Sequence, residues 1–553
     1  MTPPSQPAEA RTHRQILVVF AGLMVAMLLP AMNMTLVATA LPTIVGDLGG
    51  LSQLSWVITA YLLTSTVVVP LVGKVSDLYG RKPLFQLAIV VFALGSVLCG
   101  VASSMDQLIL FRGLQGIGGG ALMALTQAII GDVVSPRQRG RYQGYLGAVF
   151  AFSSVAGPLL GGLFVDHLTW RWAFYINVPL ALAALLVTQR ALHLPHVRVP
   201  HRVDYLGAAL LVAAASSLLL VTVWGGELYP WDSPVIVGLG VVSVVATVAF
   251  VAVELRVPEP MVPLSLFRIP VFTRGSLIGL FAQASLLGAL AFLPLYFQAV
   301  TGVSATASGL LLLPIISTML VTSIWSGRRI TRLGRYRRFP IVGTGLLTVG
   351  FVLLTALGDD PSLLVIGVEL AIVGAGLGLT MQNVVLAVQN AAPAGQLGVA
   401  TSGVQFFRMI GAAAGVAAFG ALLNVRFDAA LLVRMPAALR AEVDLATLTG
   451  DPTGIVALDP ELRVPVQLAL GDGLAWVFAL AAVLAAISFL LAWTLPELPL
   501  RDHVVAAPLP PAAASGTGAA DVEAEPAARA VTSPPSPGRR GVAGSDPEGG
   551  DAD

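Results

Sequence analysis

The chain has 553 residues, of which 56% are hydrophobic and only 11% are charged, and its mean hydropathy is +0.84. A soluble protein carries about 25% charged residues because its surface must face water, so an assembly of soluble domains is excluded. The 31 basic and 30 acidic residues nearly balance, which leaves no basic face for nucleic acid. A lone cysteine, Cys99, excludes a disulfide framework and a cysteine-based metal cluster. The composition indicates a polytopic membrane protein.

Fourteen apolar runs are long enough to be transmembrane helices, which need about 20 residues to cross the hydrocarbon core. In chain order they cover residues 16–41, 55–73, 84–102, 107–130, 144–165, 172–190, 205–224, 234–254, 273–297, 308–326, 339–357, 362–384, 403–424 and 474–495. They are too uniformly apolar for a transmembrane β-barrel. The first run lacks an obvious cleavage site, so we interpret it as a retained helix. The predicted fold class is all-α polytopic.

Basic residues concentrate in alternate loops. These loops hold Lys74, Arg81 and Lys82; Arg137, Arg139 and Arg141; Arg190, Arg198 and Arg202; Arg256, Arg268 and Arg274; and Arg328, Arg329, Arg332, Arg335, Arg337 and Arg338. The positive-inside rule places them in the cytoplasm, and an even number of helices places both termini there. The excess of arginine over lysine and the many alanines, glycines and valines indicate a bacterial genome of high GC content. We therefore expect the bacterial inner (plasma) membrane.

Two segments lie outside the predicted helices. Residues 425–473 form a predicted external loop with charges of both signs and apolar stretches suited to short amphipathic helices. From residue 499 the chain is rich in Pro, Ala, Gly, Ser and acids, which is typical of a disordered tail. We interpret residues 499–553 as a solvating cytoplasmic tail.

Two loops repeat one pattern of a glycine, a second glycine seven residues later, and an arginine. The copies are Gly73, Gly80 and Arg81 after helix 2, and Gly327, Gly334 and Arg335 after helix 10. Matching loops in two halves are a mark of duplicated transporter folds. Their alignment makes helices 7 and 8 an insertion. The predicted organisation is an N-terminus at 1–15, a six-helix half at 16–190, inserted helices at 191–272, a second six-helix half at 273–498, and the tail.

Four motifs occur in order on the first five helices. They are Thr35–Pro42 on helix 1; the loop Gly73–Pro83; Arg112 with Gly113, Gln115, Gly116 and Gly118 on helix 4; and Gly157, Pro158, Gly161 and Gly162 on helix 5. Together they resemble the fourteen-helix drug:proton antiporter branch (EmrB/QacA-type) of the major facilitator superfamily. The resemblance implies a major facilitator fold of two six-helix halves plus two inserted helices. It also implies a monomeric exporter of small lipophilic substrates, with a proton gradient as energy source and no cofactor or metal.

The resemblance assigns a conformational latch to Gly73, Asp77, Gly80, Arg81 and Lys82. Asp77 can lie against a neighbouring helix N-terminus, where the helix dipole favours an anion, and Arg81 and Lys82 can bridge to carboxylates. The alternative is a loop that only sets orientation.

On helix 5, Pro158 removes a helix hydrogen bond and Gly157, Gly161 and Gly162 permit close packing. The resemblance makes this motif characteristic of antiporters. We expect a hinge or a seal against leakage, and the alternative is packing without movement.

Charged groups inside a membrane are expensive and are candidates for function. Arg112 lies about 7–8 Å and Glu369 about 10 Å from the outer ends of helices 4 and 12, at 1.5 Å per residue. We expect them to approach each other, or to communicate through substrate, in proton coupling; a static ion pair is the alternative for Glu369. Arg408, near the inner end of helix 13, is expected at the headgroups or in a cytoplasmic latch. Asp132 is expected to pair with a nearby arginine, Arg139 or Arg141.

In the superfamily, the helices that match 1, 4, 9 and 12 line the central cavity. The resemblance therefore implies a substrate cavity formed by Asn33, Gln115, Gln127, Gln283, Tyr296, Gln298, Gln382 and Asn383.

The chain departs from the branch at two positions. Asn33 stands where helix 1 usually carries an aspartate, and Gln396 stands where an acid is common. We expect Glu369 to take over proton binding under the control of Arg112, and the cavity to favour neutral or weakly anionic amphiphiles. Asn33→Asp is then expected to improve export of cationic dyes.

Two other functions remain open. A facilitator or importer of a small metabolite is compatible with Asn33, although the helix 5 motif argues against it. A polytopic membrane enzyme or sensor would need a catalytic constellation, and the sequence has no nucleotide-binding loop or histidine-rich metal spacing.

Overall fold

A computed structural model describes residues 13–49, 53–192, 204–226, 228–303, 305–356, 362–393, 395–435 and 460–501. Within these ranges the chain is helical and contains no β-strand. Most of the predicted N-terminal segment, most of the predicted tail and the centre of the predicted external loop lie outside the described residues.

Among the described residues, fourteen helices are long and apolar enough to cross a membrane, which confirms the predicted fold class and number of spans. We number them in chain order. They are α1 (His13–Leu48), α2 (Leu54–Tyr79), α3 (Arg81–Val101), α4 (Met105–Val133), α5 (Pro136–His167), α6 (Trp172–Ala191), α7 (Tyr205–Trp224), α8 (Pro234–Glu254), α9 (Pro270–Val300), α10 (Ala307–Leu333), α11 (Arg338–Thr355), α12 (Leu363–Ala391), α13 (Leu397–Arg434) and α14 (Pro460–Trp493). The last turn of α9, Tyr296–Val300, is a π-helix.

The last two membrane helices are longer than the sequence predicts. Because α13 continues to Arg434 and α14 begins at Pro460, the predicted external loop 425–473 is helical at both ends. The two extensions share an apolar cluster that includes Phe427, Leu431, Val466 and Leu470. Charged side chains on the surface of this helix pair, such as Arg434 and its partner Asp472, interrupt the apolar run. A search for uniformly apolar segments therefore ends both helices too early.

The chain that follows α14 is bound to the bundle as far as Arg501. The Glu497 carboxylate accepts a hydrogen bond from the backbone N–H of Tyr336 at 2.8 Å. The Asn390 side chain donates to the Pro499 carbonyl at 3.1 Å and accepts from the Arg501 N–H at 3.2 Å. The ordered chain therefore extends past residue 499, where the sequence predicts the tail to begin.

Equivalent glycines pack equivalent helices in two groups of six. Gly116 and Gly120 of α4 lie against α2, and Gly374 and Gly378 of α12 lie against α10. A Cβ added at any of the four would lie 2.1–2.2 Å from an atom of the facing helix. This recurrence supports the interpretation of α1–α6 as a first half and α9–α14 as a second half.

The remaining helices, α7 and α8, pack against each other beside the line where the halves meet. α7 contacts α2 of the first half and α13 of the second half. The rings of Trp56 on α2 and Trp224 on α7 are 4.8 Å apart. The inserted helices thus contact one helix of each half, which is compatible with an insertion between two six-helix units.

Candidate functional site

The end of α2 and the start of α3 connect the two halves at the basic end, which we define as the end of the bundle where the loops carry most arginines and lysines. The Asp77 carboxylate accepts hydrogen bonds from the backbone N–H groups of Gly398 and Val399, at 3.2 and 3.0 Å, in the first turn of α13. These N–H groups have no partner within their own helix, and the helix dipole favours an anion there. The structure therefore shows Asp77 at a helix N-terminus, as the sequence predicts, and the helix belongs to the other half.

Arg81 links this contact to α4. Its guanidinium lies 2.5 Å from the Asp77 carboxylate and 2.8 Å from the Asp132 carboxylate, and the side chains of Arg81 and Asp77 are both buried. Asp132 thus pairs with Arg81, and the predicted pairing with Arg139 or Arg141 is wrong. Arg139 donates instead to backbone carbonyls at the end of α4, because those carbonyls have no partner within the helix.

The other three residues of the predicted latch have separate positions. Gly80 turns the chain from α2 to α3 with a φ of +94°, which favours glycine. Gly73 lies where α2 crosses α13, and an added Cβ would lie 2.0 Å from the Ser402 hydroxyl oxygen. The predicted bridge from Lys82 to a carboxylate is not seen. Its ammonium donates to the Gln189 carbonyl at 2.9 Å, within the first half.

The matching segment of the second half, at the end of α10, packs against α5. Gly327 of α10 approaches Gly140 of α5 so closely that a Cβ added to Gly327 would lie 1.9 Å from the Gly140 carbonyl oxygen. Thr331, which stands where the first copy has Asp77, donates its hydroxyl to the Gly327 carbonyl of its own helix at 2.9 Å. The second copy of the motif therefore joins the halves by backbone contact rather than by an acid at a helix N-terminus.

Glutamines join the halves one level deeper in the bundle. Gln127 of α4 donates to the Gln382 side chain of α12 at 3.4 Å. Gln389 of α12 donates to the Gln127 carbonyl at 3.0 Å and to the Thr401 hydroxyl of α13 at 3.2 Å. The predicted cavity residues Gln127 and Gln382 thus lie together in a contact that closes the basic end. Gln389 completes it, although no motif in the sequence marks this residue.

Arg112 is 2% exposed and is surrounded by neutral acceptors of the first half. Its Nη1 donates to the side-chain oxygens of Asn33 and Gln115, at 2.6 Å each, and its Nε donates to the Val57 carbonyl at 3.1 Å. The guanidinium also lies 4.3 Å from the centre of the Tyr61 ring. Asn33 and Gln115 therefore bind Arg112 rather than stand free in a cavity. The contacts of Val57 and Tyr61 have no sequence signal, because α2 carries no motif at these positions.

Glu369 lies in the second half and does not contact Arg112. Its side chain is 7% exposed, and its Oε2 is buried without a hydrogen-bond partner. At helical spacing Glu369 shares a face of α12 with Val373 and Gly376, which pack against α11, whereas Gln382 faces α4. The predicted approach of Arg112 and Glu369 is therefore not seen. The sequence places both residues within membrane helices, but it does not show the faces on which their side chains lie.

Three further predicted cavity residues are not brought together. Tyr296 is buried in the apolar cluster of the second half, with its ring centre 6.4 Å from that of Phe478, and Gln298 lies partly exposed in the same π-helical turn. Asn383 donates to the Ser326 hydroxyl of α10 at 3.1 Å. Tyr296 and Asn383 therefore pack in different parts of the second half.

Arg408 lies inside α13 and contacts α9 rather than the latch residues at the basic end, and its level relative to the headgroups stays a prediction. It follows Leu397, the first residue of α13, by eleven residues, or about 16 Å at 1.5 Å per residue. The guanidinium donates to the side-chain oxygens of Gln405 at 3.1 Å and of Gln283 on α9 at 3.4 Å. Gln283 is therefore the predicted cavity residue that meets a partly buried charge of the second half.

The helix 5 motif packs against the helix 1 motif within the first half. A Cβ added to Gly157 would lie 1.8 Å from the Thr35 hydroxyl oxygen, and one added to Gly161 would lie 3.0 Å from Cβ of a second α1 threonine. Pro158 is exposed, and Gly162 faces no atom within 4 Å. The motif therefore provides close packing at two of its three glycines, while the hinge or seal stays a prediction.

Gly157→Ala and Gly162→Ala form a matched test of this packing. Gly157→Ala should lower the melting temperature of the purified protein, because the new methyl group overlaps Thr35 and overpacking costs about 1–3 kcal/mol. Gly162→Ala should leave the melting temperature unchanged or raise it, since the site is open and alanine favours a helix by about 1 kcal/mol over glycine. Equal effects of the two variants would show that contact with Thr35 is not what Gly157 provides.

The arrangement is suited to binding and conformational change. Amides and the charged side chains of Arg112, Arg408 and Glu369 lie within the membrane helices, and the contacts between the halves are short and polar. Among the described residues, no group of three or more His, Cys, Asp or Glu side chains could hold a metal ion.

Residues 23–416 match the family described as the Major Facilitator Superfamily. The matched segment is well over half of the chain. The chain belongs to the major facilitator superfamily. It is therefore a multi-pass membrane transporter and not an enzyme, as the sequence predicts.

Similar proteins agree with this assignment. The multidrug transporter protein MdtP of Bacillus subtilis is 42% identical over 420 residues, which cover 76% of this chain and 77% of MdtP. Multidrug resistance protein 3 of the same organism is 33% identical over 486 residues, which cover 85% of this chain and 94% of the relative. The crystal structure of the human organic anion transporter MFSD10 (TETRAN) shares the fold, with a TM-score of 0.60 at 18% identity over 86% of this chain and 99% of that chain. The predicted resemblance to drug transporters of this superfamily is confirmed.

Proposed function

We propose that this transporter exports lipophilic compounds in exchange for protons by alternating access. The observation that carries the proposal is the closed basic end, where Asp77 lies at the N-terminus of α13 and Gly327 meets Gly140. A carrier with its site between two halves must break such contacts to expose that site at this end. The names of the two Bacillus subtilis relatives, both multidrug proteins, support drug-like substrates.

The direction of transport depends on which end faces the cytoplasm. By the positive-inside rule the basic end is cytoplasmic, and we place the protein in a bacterial inner membrane with both termini inside. The state described above is then closed to the cytoplasm, which is the state an exporter needs when it releases its cargo outside.

We assign proton binding to Glu369. Its apolar neighbours on α12, Ile366 and Leu370, are fully buried, and its Oε2 has no partner. An ionised carboxylate in such a place costs far more free energy than the neutral acid. Access of water to this side chain in the other conformation would favour release of the proton. Because Arg112 does not contact Glu369, water access replaces the movement of Arg112 that the sequence led us to expect.

We propose neutral or weakly anionic amphiphiles as substrates. At the position where this branch usually has an aspartate, the Asn33 amide is neutral and is bound to the Arg112 cation. The first half therefore offers a positive rather than a negative charge at this level, which disfavours dications.

Glu369→Gln tests the proton site. In inside-out vesicles with an imposed pH gradient, the wild type should transport the neutral dye Nile red better than the cation ethidium, and transport should stop when the gradient is collapsed. Glu369→Gln should still bind Nile red, but its remaining transport should no longer respond to the gradient, because glutamine cannot carry the proton.

Asp166→Asn is the matched control, since it removes an exposed carboxylate near the other end of the bundle and should transport like the wild type. If Glu369→Gln stays coupled to the gradient, Glu369 is not the proton carrier. If the wild type moves the dye equally with and without a gradient, the protein is a facilitator, the alternative that the absence of the helix 1 acid favours.

A further inference from the structure

Arg112 and Arg408 are both embedded in membrane helices, and their hydrogen-bonding needs are met to different degrees. Arg112 has three oxygen partners at 2.6–3.1 Å and an aromatic ring below it. Arg408 has two amide oxygens at 3.1 and 3.4 Å, and its Nε is buried without a partner. A buried charged donor that is left unpaired is costly. Arg112 is thus fixed within its half, while Arg408 has hydrogen-bonding capacity left.

Arg408 lies against α9 of the second half. Its side chain packs against Gly279 of α9, where an added Cβ would lie 2.9 Å from its Cγ, and Gln283 follows one turn later on the same face. On α13, Thr401 lies two turns before Arg408 on a similar face and accepts a hydrogen bond from Gln389 of α12. The guanidinium therefore lies between α9 and α13, about two turns along α13 from the glutamine contact that closes the basic end.

The charge of Arg408 has no carboxylate partner among the described residues. Within the part of the chain that the structure describes, the buried acid Glu369 lies on the face of α12 toward α11, and no acid forms an ion pair with Arg408. Arg408 lies about 16 Å along α13 from its first residue, so the guanidinium lies inside a membrane-spanning helix. A cation in such a place is expensive, and it attracts an anion strongly because the local dielectric constant is low.

We infer that Arg408, Gln283 and Gln405 form a binding site for the carboxylate of a lipophilic organic anion. The planar guanidinium presents paired N–H donors that match the two oxygens of a carboxylate, and each glutamine amide carries an NH₂ donor as well as its oxygen. The apolar body of the ligand would lie against the apolar surfaces of the surrounding helices, as in other small-molecule sites. The inference rests on the proposed export function for the direction of transport, and it adds the charge of the preferred cargo.

Binding without a proton gradient tests this site. The full-length protein in detergent is titrated at neutral pH with 1-pyrenebutyrate, a fluorescent lipophilic carboxylate, and with its uncharged methyl ester. The wild type should bind the carboxylate more tightly than the ester. Arg408→Gln should weaken carboxylate binding about 10- to 100-fold, as expected for loss of a buried charge-assisted hydrogen bond, and should leave ester binding unchanged. Arg408→Lys keeps the charge but not the paired N–H donors, so its affinity for the carboxylate should lie between those of the wild type and Arg408→Gln.

Arg426→Gln on the same helix is the matched control. Arg426 lies over the Trp476 ring at 3.8 Å toward the other end of α13, so this variant should bind both ligands like the wild type. The inference fails if the wild type does not prefer the carboxylate, if Arg408→Gln weakens both ligands equally, or if Arg426→Gln loses as much carboxylate binding as Arg408→Gln. Because no gradient is applied, failure of the Glu369 mechanism leaves this result interpretable. Failure of the anion site likewise leaves proton-coupled export of neutral compounds standing.

Discussion

Gly327→Ala should shift the transporter away from the state that is closed at its basic end. The new methyl group would lie 1.9 Å from the carbonyl oxygen of Gly140. Neither atom can rotate away from the other, because the backbone fixes the position of each. Overpacking of this kind costs about 1–3 kcal/mol, and here the cost falls on the closed state alone, so the ratio of closed to open molecules should drop about 5- to 150-fold. Dye export should fall because each transport cycle passes through closure.

Spin labels at Tyr79 and Leu333 report this change, since both side chains are exposed at the basic end in different halves. The distance between them, measured in a Cys99→Ala background, should lengthen in Gly327→Ala and also in Gly140→Ala. Gly309→Ala on the same helix is the control, because no atom lies within 4 Å of its added Cβ. An unchanged distance in Gly327→Ala would mean that the glycine contact does not determine closure.

Much of the architecture is predictable because it depends on one-dimensional signals. Hydropathy and length give fourteen spans, and the positions of Gly73, Gly80 and Asp77 in one loop predict a tight turn with an acid at a helix N-terminus. The repeat of this loop at Gly327 and Gly334 predicts two equivalent halves. Each of these features depends on residues that are close together in the sequence. It can therefore be recognised without knowing which other helix it contacts.

The candidate site is less predictable because it depends on how each helix is rotated. Glu369 and Arg112 both lie within membrane helices, as the sequence predicts, but Glu369 faces α11 and Arg112 faces α1 and α2. In helices that are apolar on nearly all sides, no hydrophobic stripe marks the buried face. For the same reason the sequence does not reveal the partner of Arg408, because Gln283 lies on another helix.

Asn33→Asp should stabilise the transporter, and here the structure revises the expectation from the sequence. The Asn33 oxygen accepts from Arg112 Nη1 at 2.6 Å, while the Asn33 Nδ2 is buried without a partner. Aspartate would replace that unpaired donor by a second acceptor and would give the buried Arg112 cation a counter-charge. The gain should be about 1–3 kcal/mol, which a higher melting temperature of the purified protein would show. Asn33→Leu is the control, and it should lower the melting temperature because Arg112 loses an acceptor.

The same contact determines whether the new acid can recruit cations. In Asn33→Asp the carboxylate would be paired with Arg112, so ethidium affinity should stay close to that of the wild type rather than rise as the sequence alone suggests. In the double variant Asn33→Asp, Arg112→Gln the carboxylate loses its partner, and ethidium binding should then increase. An increase in the single variant would show that the Arg112 contact opens during binding. No increase in the folded double variant would show that this position is outside the cavity altogether, and the choice between anionic and cationic cargo would then depend on the second half, where Arg408 lies.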